Sequence, residues 1–131
     1  TENPDDPQFE ISRDAYEILT NIDDAKGRKL EVHLINQPQP VIISAEECEG
    51  VDYVEGTFPR QEGDRMAASY INFYIANGGI VMPLFNDPAD SDALVKMKEL
   101  FPDRKVVGVY AREIILGGGN IHCITQQQPK V

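Results

Sequence analysis

The sequence predicts an α/β fold built on a ββαβ unit, and three observations carry that prediction. Residues 69–76 alternate Tyr70, Asn72, Tyr74 and Ala76 on one side with Ile71, Phe73 and Ile75 on the other, the period of a strand. Asn77-Gly78 follows, a dipeptide that turns hairpins, and residues 79–85 return as a second strand. Beyond it, Asp90 or Ser91 caps a helix whose Leu94, Met97, Leu100 and Phe101 form one apolar stripe. Pro102 ends that helix, and residues 104–110 read as another buried strand.

The first half supplies a helix and a strand of a second unit. Residues 1–9 are polar, carry Pro4 and Pro7, and read as a loop. Ser12 can cap a helix starting near Arg13, with Ala15, Ile18, Leu19 and Ile22 as a core-facing stripe and Gly27 as its stop. Residues 29–35 alternate Leu30, Val32 and Leu34 with Glu31, His33 and Ile35, so they read as a strand. Exposure or a hydrogen bond accounts for His33 better than catalysis does. Gln37-Pro38-Gln39-Pro40 breaks the pattern, and residues 41–43 suggest a short strand. The acidic residues 46–56 have no period and read as a long surface loop. Arg60 and Arg65 stand out in an acidic chain; a surface ion pair is the plainer reading, a carboxylate or partner contact the functional one.

A chain of 131 residues can bury one core. Its net charge of −10 excludes the basic footprint of a nucleic-acid binder. It suits solubility first and attraction of cationic small molecules second. Cys48 and Cys123 lie too far apart in sequence for a disulfide framework or a metal-ligand spacing, which points to a reducing compartment. No apolar run reaches the length of a membrane span and no signal-peptide pattern opens the chain, so the expected location is the cytoplasm.

The candidate chemistry lies near the end. Gly117, Gly118 and Gly119 run into Asn120-Ile121-His122-Cys123. Consecutive glycines let backbone polar groups approach a ligand closely. The alternation after them suggests a short strand that presents the Cys123 thiol on one face and His122 on the other. A thiol beside bare backbone can serve as a nucleophile. From spacing alone, a buried structural cysteine is the plainer reading. Cys48, among carboxylates, should have a raised pKa and little thiolate. Asn72, a polar residue in a strand flanked by apolar ones, needs either a structural partner or a ligand.

The run GGGNIHCITQQQP resembles the C-terminal signature of the agmatine deiminases, members of the guanidine-modifying (pentein) superfamily. Residues 67–79 (AASYINFYIANGG) resemble a second signature of that family, and DDAKGRK at 23–29, Phe101-Pro102, Val106-Val107-Gly108 and AREI at 111–114 match in the same order. The resemblance implies a pentein-type α/β-propeller, a ring of five ββαβ modules of which this chain covers roughly the last two. Residues 1–131 would then be the C-terminal portion of a single catalytic domain. It implies hydrolysis of agmatine to N-carbamoylputrescine and ammonia in putrescine biosynthesis, with Cys123 as nucleophile, Asn72 beside it, and Gly117, Gly118 and Gly119 giving close approach. No metal or cofactor is implied; the substrate is the partner, and the full-length protein is expected to be a homo-oligomer, a dimer. The family's general acid/base histidine sits in a His-x-Asp motif that this sequence lacks, since His33 precedes Leu34-Ile35 and His122 precedes Cys123-Ile124. The isolated chain is therefore expected to be inactive. The alternatives are a related peptidylarginine or arginine deiminase, and a catalytically incomplete ββαβ module that acts in binding or assembly.

Overall fold

The computed structural model describes residues 1–130. The chain divides into two compact units, Thr1–Asn36 and Gln37–Val131.

The first unit carries helix α1, Gln8–Asn21. It starts before the expected Ser12, because the Asp6 carboxylate accepts the Gln8 N–H at 2.8 Å and opens the first turn. Ser12 lies inside the helix and donates to the Gln8 carbonyl at 2.7 Å. The helix ends at Ile22, whose ψ of 161° is extended. Gly27 is therefore not its stop. With φ of 74°, Gly27 turns a tight loop in which the Asp24 carboxylate accepts from the Lys26 and Arg28 backbones. The stripe expected to be core is not: α1 buries no residue, and Ile18 is 61% exposed. Residues 29–35 form no strand, because only Lys29 pairs, in a single bridge to Asp23. A strand needs a neighbour for its backbone groups, and Leu30 to Ile35 have none in the unit. His33 is exposed, with Nε2 3.2 Å from Glu31.

The second unit holds the core. Helix α2, Ala45–Glu49, replaces the first part of the expected acidic loop. A capping box starts it: Ser44 Oγ accepts the Glu47 N–H at 3.2 Å and the Glu47 carboxylate accepts the Ser44 N–H at 2.8 Å. The expected strand at 41–43 reduces to one bridge, Ile42 to Arg65. The hairpin forms as expected. Strand β1, Tyr74–Ile75, runs antiparallel to β2, Gly79–Leu84, and Ile75 faces Ile80 in register.

β1 is much shorter than residues 69–76. Tyr70, 1% exposed, donates from its hydroxyl to Asp90 Oδ1 at 2.7 Å, and the Asn72 N–H bonds back to the Ser69 carbonyl at 3.3 Å. That buried anchor folds 69–72 into a turn. Helix α3, Asp90–Leu100, follows β2. Neither Asp90 nor Ser91 is its N-cap. The Asp90 carboxylate points back to the Phe85 and Asp87 N–H groups and to Tyr70, and Ala89 takes the cap position. Ala93 and Met97 face the core, Leu94 and Leu100 are half-buried, and Phe101 stacks edge-on against Phe73 at 5.9 Å. Strand β3, Lys105–Tyr110, then pairs parallel to β2, Val106 beside Ile80, and completes the β1-β2-β3 sheet. The ββαβ order read from the sequence is thus the observed one. β3 is not a buried strand, however: Val106 alone of its residues is buried.

Helix α4, Arg112–Ile115, continues from β3 and delivers the chain to the glycines. It is fixed to α2 by Arg112, whose Nε and terminal nitrogen reach the two Glu47 oxygens at 2.6 and 2.9 Å. The same guanidinium donates to the Ile42 carbonyl at 2.9 Å. A planar fork against a carboxylate is the strong geometry for such a pair.

Candidate active site

Cys123 does not begin a strand. It sits in a 3-10 turn, His122–Ile124, entered through Ile121 at φ −53° and ψ −49°. The Cys123 and Ile124 N–H groups both bond to the Asn120 carbonyl, at 3.0 and 3.3 Å. A 3-10 turn rotates successive side chains by about a third of a turn, against the half-turn of a strand, so Cys123 and His122 are not set on strictly opposite faces.

The structure brings Asn72 to this turn across 51 residues of sequence. Its Nδ2 donates to Cys123 Sγ at 3.2 Å, and its Oδ1 accepts the His122 N–H at 2.8 Å. One amide thus both contacts the thiol and fixes the backbone beside it. The Tyr70–Asp90 bond anchors the turn that carries Asn72. Cys123 is exposed. Its pKa is lowered, first by the Asn72 donor and then by the Asn120 backbone; desolvation opposes by less than either, and its own N–H adds the smallest lowering. These donors favour the thiolate, the nucleophilic form.

The glycines differ in what they do. Gly119 is pressed against the cysteine: a Cβ there would lie 2.7 Å from Cys123 Cβ and 3.2 Å from Sγ. Gly118 has φ of +93°, a left-handed backbone that suits glycine. Gly117 meets only ordinary contact, 3.4 Å to the Ile114 carbonyl. Asn120 is fully buried, its Oδ1 accepting the Ile121 N–H at 2.8 Å. No sequence signal pointed to Asn120. Arg60, which stands out in the sequence, donates from Nε to the Leu116 carbonyl at 3.2 Å. Arg60 thus bonds to a carbonyl, where a surface ion pair was the plainer expectation. A cavity of about 370 Å³ is lined by Leu116 and Gly117 and by the segment that includes Cys48, Tyr53, Phe58 and Arg60. Cys123 is not part of its wall.

Cys48 is half-buried in α2. Its pKa is raised, as expected, but burial is the first cause, and the charges of Asp64, Glu62 and Glu47 follow. Among the described residues, no group of three or more His, Cys, Asp or Glu side chains is placed to hold a metal ion. Among the same residues, no helix is long and apolar enough to cross a membrane.

A family model, the Porphyromonas-type peptidyl-arginine deiminases, matches residues 1–129. The chain belongs to this family. Within it, the chain is 64% identical over 130 residues to a Listeria monocytogenes protein named "Putative agmatine deiminase 1", covering 99% of this chain and 36% of that one. It is 53% identical over 129 residues to the agmatine deiminase of Pseudomonas aeruginosa, covering 98% of this chain and 35% of that one. The solved agmatine deiminase of Enterococcus faecalis superposes with a TM-score of 0.89 at 45% identity, over 99% of this chain and 35% of that one. The chain therefore spans about a third of the length of these deiminases. Its α/β fold is theirs over that span.

Proposed function

We propose that this sequence forms the nucleophile-bearing part of an agmatine deiminase. The Asn72–Cys123 contact carries the reading, in a chain 53% identical to a protein named agmatine deiminase. Residues 1–131 belong, on this reading, to the C-terminal portion of one catalytic domain, a pentein ring of ββαβ modules. The same reading carries a homo-oligomeric, cytoplasmic enzyme of putrescine biosynthesis.

Agmatine has a guanidinium at one end and an amine at the other. The Cys123 thiolate attacks the guanidinium carbon and forms an S–C bond. The tetrahedral adduct takes up a proton on one nitrogen and expels ammonia, leaving an S-linked amidinium on the enzyme. Water attacks the same carbon, the S–C bond breaks, and N-carbamoylputrescine departs with the thiolate restored. The net change is agmatine plus water to N-carbamoylputrescine plus ammonia. A guanidinium is resonance-stabilised and cationic at neutral pH, so it is a poor electrophile. The reaction thus needs a preformed thiolate, which the donors around Sγ favour, and an orienting amide, the role of Asn72. Gly119 leaves free the space beside Cys123 that a Cβ would fill. The proton transfers need a general acid/base, typically worth a factor of roughly 10² to 10⁴. That group and the carboxylates that hold the cation would come from sequence outside this span.

A chain of the relatives' full length carrying this sequence is the object to test. It should release ammonia and carbamoylputrescine from agmatine, with kcat/KM for agmatine well above that for arginine. A ratio at or below one would replace agmatine by arginine or peptidylarginine as the substrate.

A further inference from the structure

The carbonyls at the end of α4 are satisfied in sequence, and the last of them by an unexpected donor. The Gly117 N–H bonds to the Ile114 carbonyl at 3.2 Å and the Gly118 N–H to the Ile115 carbonyl at 3.0 Å. The next carbonyl, Leu116, accepts from Arg60 Nε at 3.2 Å, across 56 residues. Arginine side chains do satisfy the last carbonyls of helices, where the backbone dipole also favours a cation. Here the arginine comes from a distant segment, and it also covers Gly118, two residues on. A Cβ at Gly118 would lie 2.0 Å from one terminal nitrogen of Arg60 and 3.2 Å from its central carbon. The guanidinium therefore lies against the bare backbone of Gly118. The adjoining Gly119 is the residue in contact with Cys123.

We propose that Arg60 is a positioning residue for the nucleophile: it closes the end of α4, holds Gly118 in its left-handed conformation, and so fixes where Gly119 and Asn120 present the backbone to Cys123. The inference rests on the nucleophilic role of Cys123 proposed above. Arginine is needed because one guanidinium can donate from Nε to the Leu116 carbonyl and set a terminal nitrogen against Gly118 at once. A lysine ammonium is a compact point charge on a flexible stem and cannot do both. Without Arg60 the Leu116 carbonyl loses its donor and the turn gains freedom. Cys123 Sγ then spends less time against its hydrogen-bond donors.

The test uses the full-length chain and two readouts. The first is the rate of Cys123 alkylation by iodoacetamide across pH, followed by mass spectrometry, which needs no substrate. The second is turnover of agmatine. Arg60→Ala should move the alkylation midpoint to higher pH and lower kcat roughly tenfold to a hundredfold, the usual penalty of a displaced catalytic group, with KM changed much less. Arg60→Lys, the milder variant if Arg60→Ala folds poorly, should shift the midpoint in the same direction and restore only part of kcat. An unchanged alkylation profile in a folded Arg60→Lys or Arg60→Ala protein overturns the proposal, even if the melting temperature falls, since a merely structural contact would lower stability alone. If the parent chain alkylates at Cys123 but does not turn over agmatine, the functional reading fails. The alkylation comparison still decides the role of Arg60.

Discussion

Two cysteines of one chain sit in opposite electrostatic settings. Cys48 lies half-buried in α2, and burial with Asp64, Glu62 and Glu47 pushes its thiol up. Cys123 is exposed in a turn, and an amide donor with backbone N–H groups pulls its thiol down. Burial leads at Cys48 and the Asn72 donor leads at Cys123, so exposure and the sign of the polar groups around sulfur together make that difference. Carboxylates and low polarity oppose the thiolate, while N–H donors aimed at sulfur support it. The local structure decides which groups arrive. A helix with its acidic capping box surrounds one cysteine, whereas a glycine-bared turn exposes backbone N–H groups to the other.

The largest effect should come from exchanging the sulfur atoms themselves. In a full-length chain, Cys123→Ser should abolish ammonia release from agmatine, a loss of roughly 10⁴-fold or more by analogy with other nucleophile deletions. Cys48→Ser should leave kcat within about twofold, as surface-near substitutions away from a site do. A coupled ammonia assay measures both, and comparable losses would dissolve the contrast between the two thiols.

A smaller effect should follow from removing the donor while keeping the sulfur. Asn72→Ala deletes the 3.2 Å bond to Sγ and the 2.8 Å support of the His122 N–H together. Deleting one preorganised donor typically lowers kcat by roughly 10² to 10³. Asn72→Asp keeps the shape but sets a carboxylate beside sulfur. It should give Cys123 the character of Cys48, with alkylation moved to higher pH. Should Asn72→Asp alkylate as readily at neutral pH as the parent, hydrogen-bond donation would not be the cause of the lowered thiol pKa.

How much of this could be read in the sequence depends on the range of the interaction. β2, α3 and β3 were legible because period-2 and period-3.6 patterns, Asn77-Gly78 and Pro102 are local signals. Asn72 and Cys123 were marked by family resemblance, but their contact spans 51 residues and no spacing rule reports it. The strand expected at Cys123 failed because alternation over 121–125 is too short to separate a strand from a turn. The strand over 69–76 was cut short by Tyr70, whose hydroxyl finds Asp90 twenty residues on. α2 was missed although Ser44-x-x-Glu47 is a capping signature, since the acidic composition masked it. The stripe of α1 shows the remaining gap: periodicity reveals an apolar face and says nothing about what covers it.

The smallest effect concerns the scaffold that separates the two sites. Glu47 caps α2 beside Cys48 and also holds Arg112 at the start of α4, which leads to the glycines. Its pKa is lowered to about 2, first by the Arg112 hydrogen bond and then by the Ser44 N–H, from an ordinary value of 4.5. The sign follows from linkage. A carboxyl whose pKa is depressed in the folded state contributes stability that is fully present above the unfolded value and lost as pH falls toward the folded one. The contribution should therefore be intact above about pH 4.5 and fade between there and about pH 2. Because both partners are partly exposed, solvent screens the pair, and the effect should be modest. Glu47→Gln keeps the size of the side chain but not its charge. Melting temperatures of the parent and Glu47→Gln should differ at pH 6 and converge as pH falls below 4. The same substitution removes one of the charges that raise the Cys48 thiol, so alkylation of Cys48 should move slightly to lower pH. A melting difference that persists unchanged down to pH 2 would mean that Glu47 acts through packing, leaving the Arg112 tie without electrostatic weight.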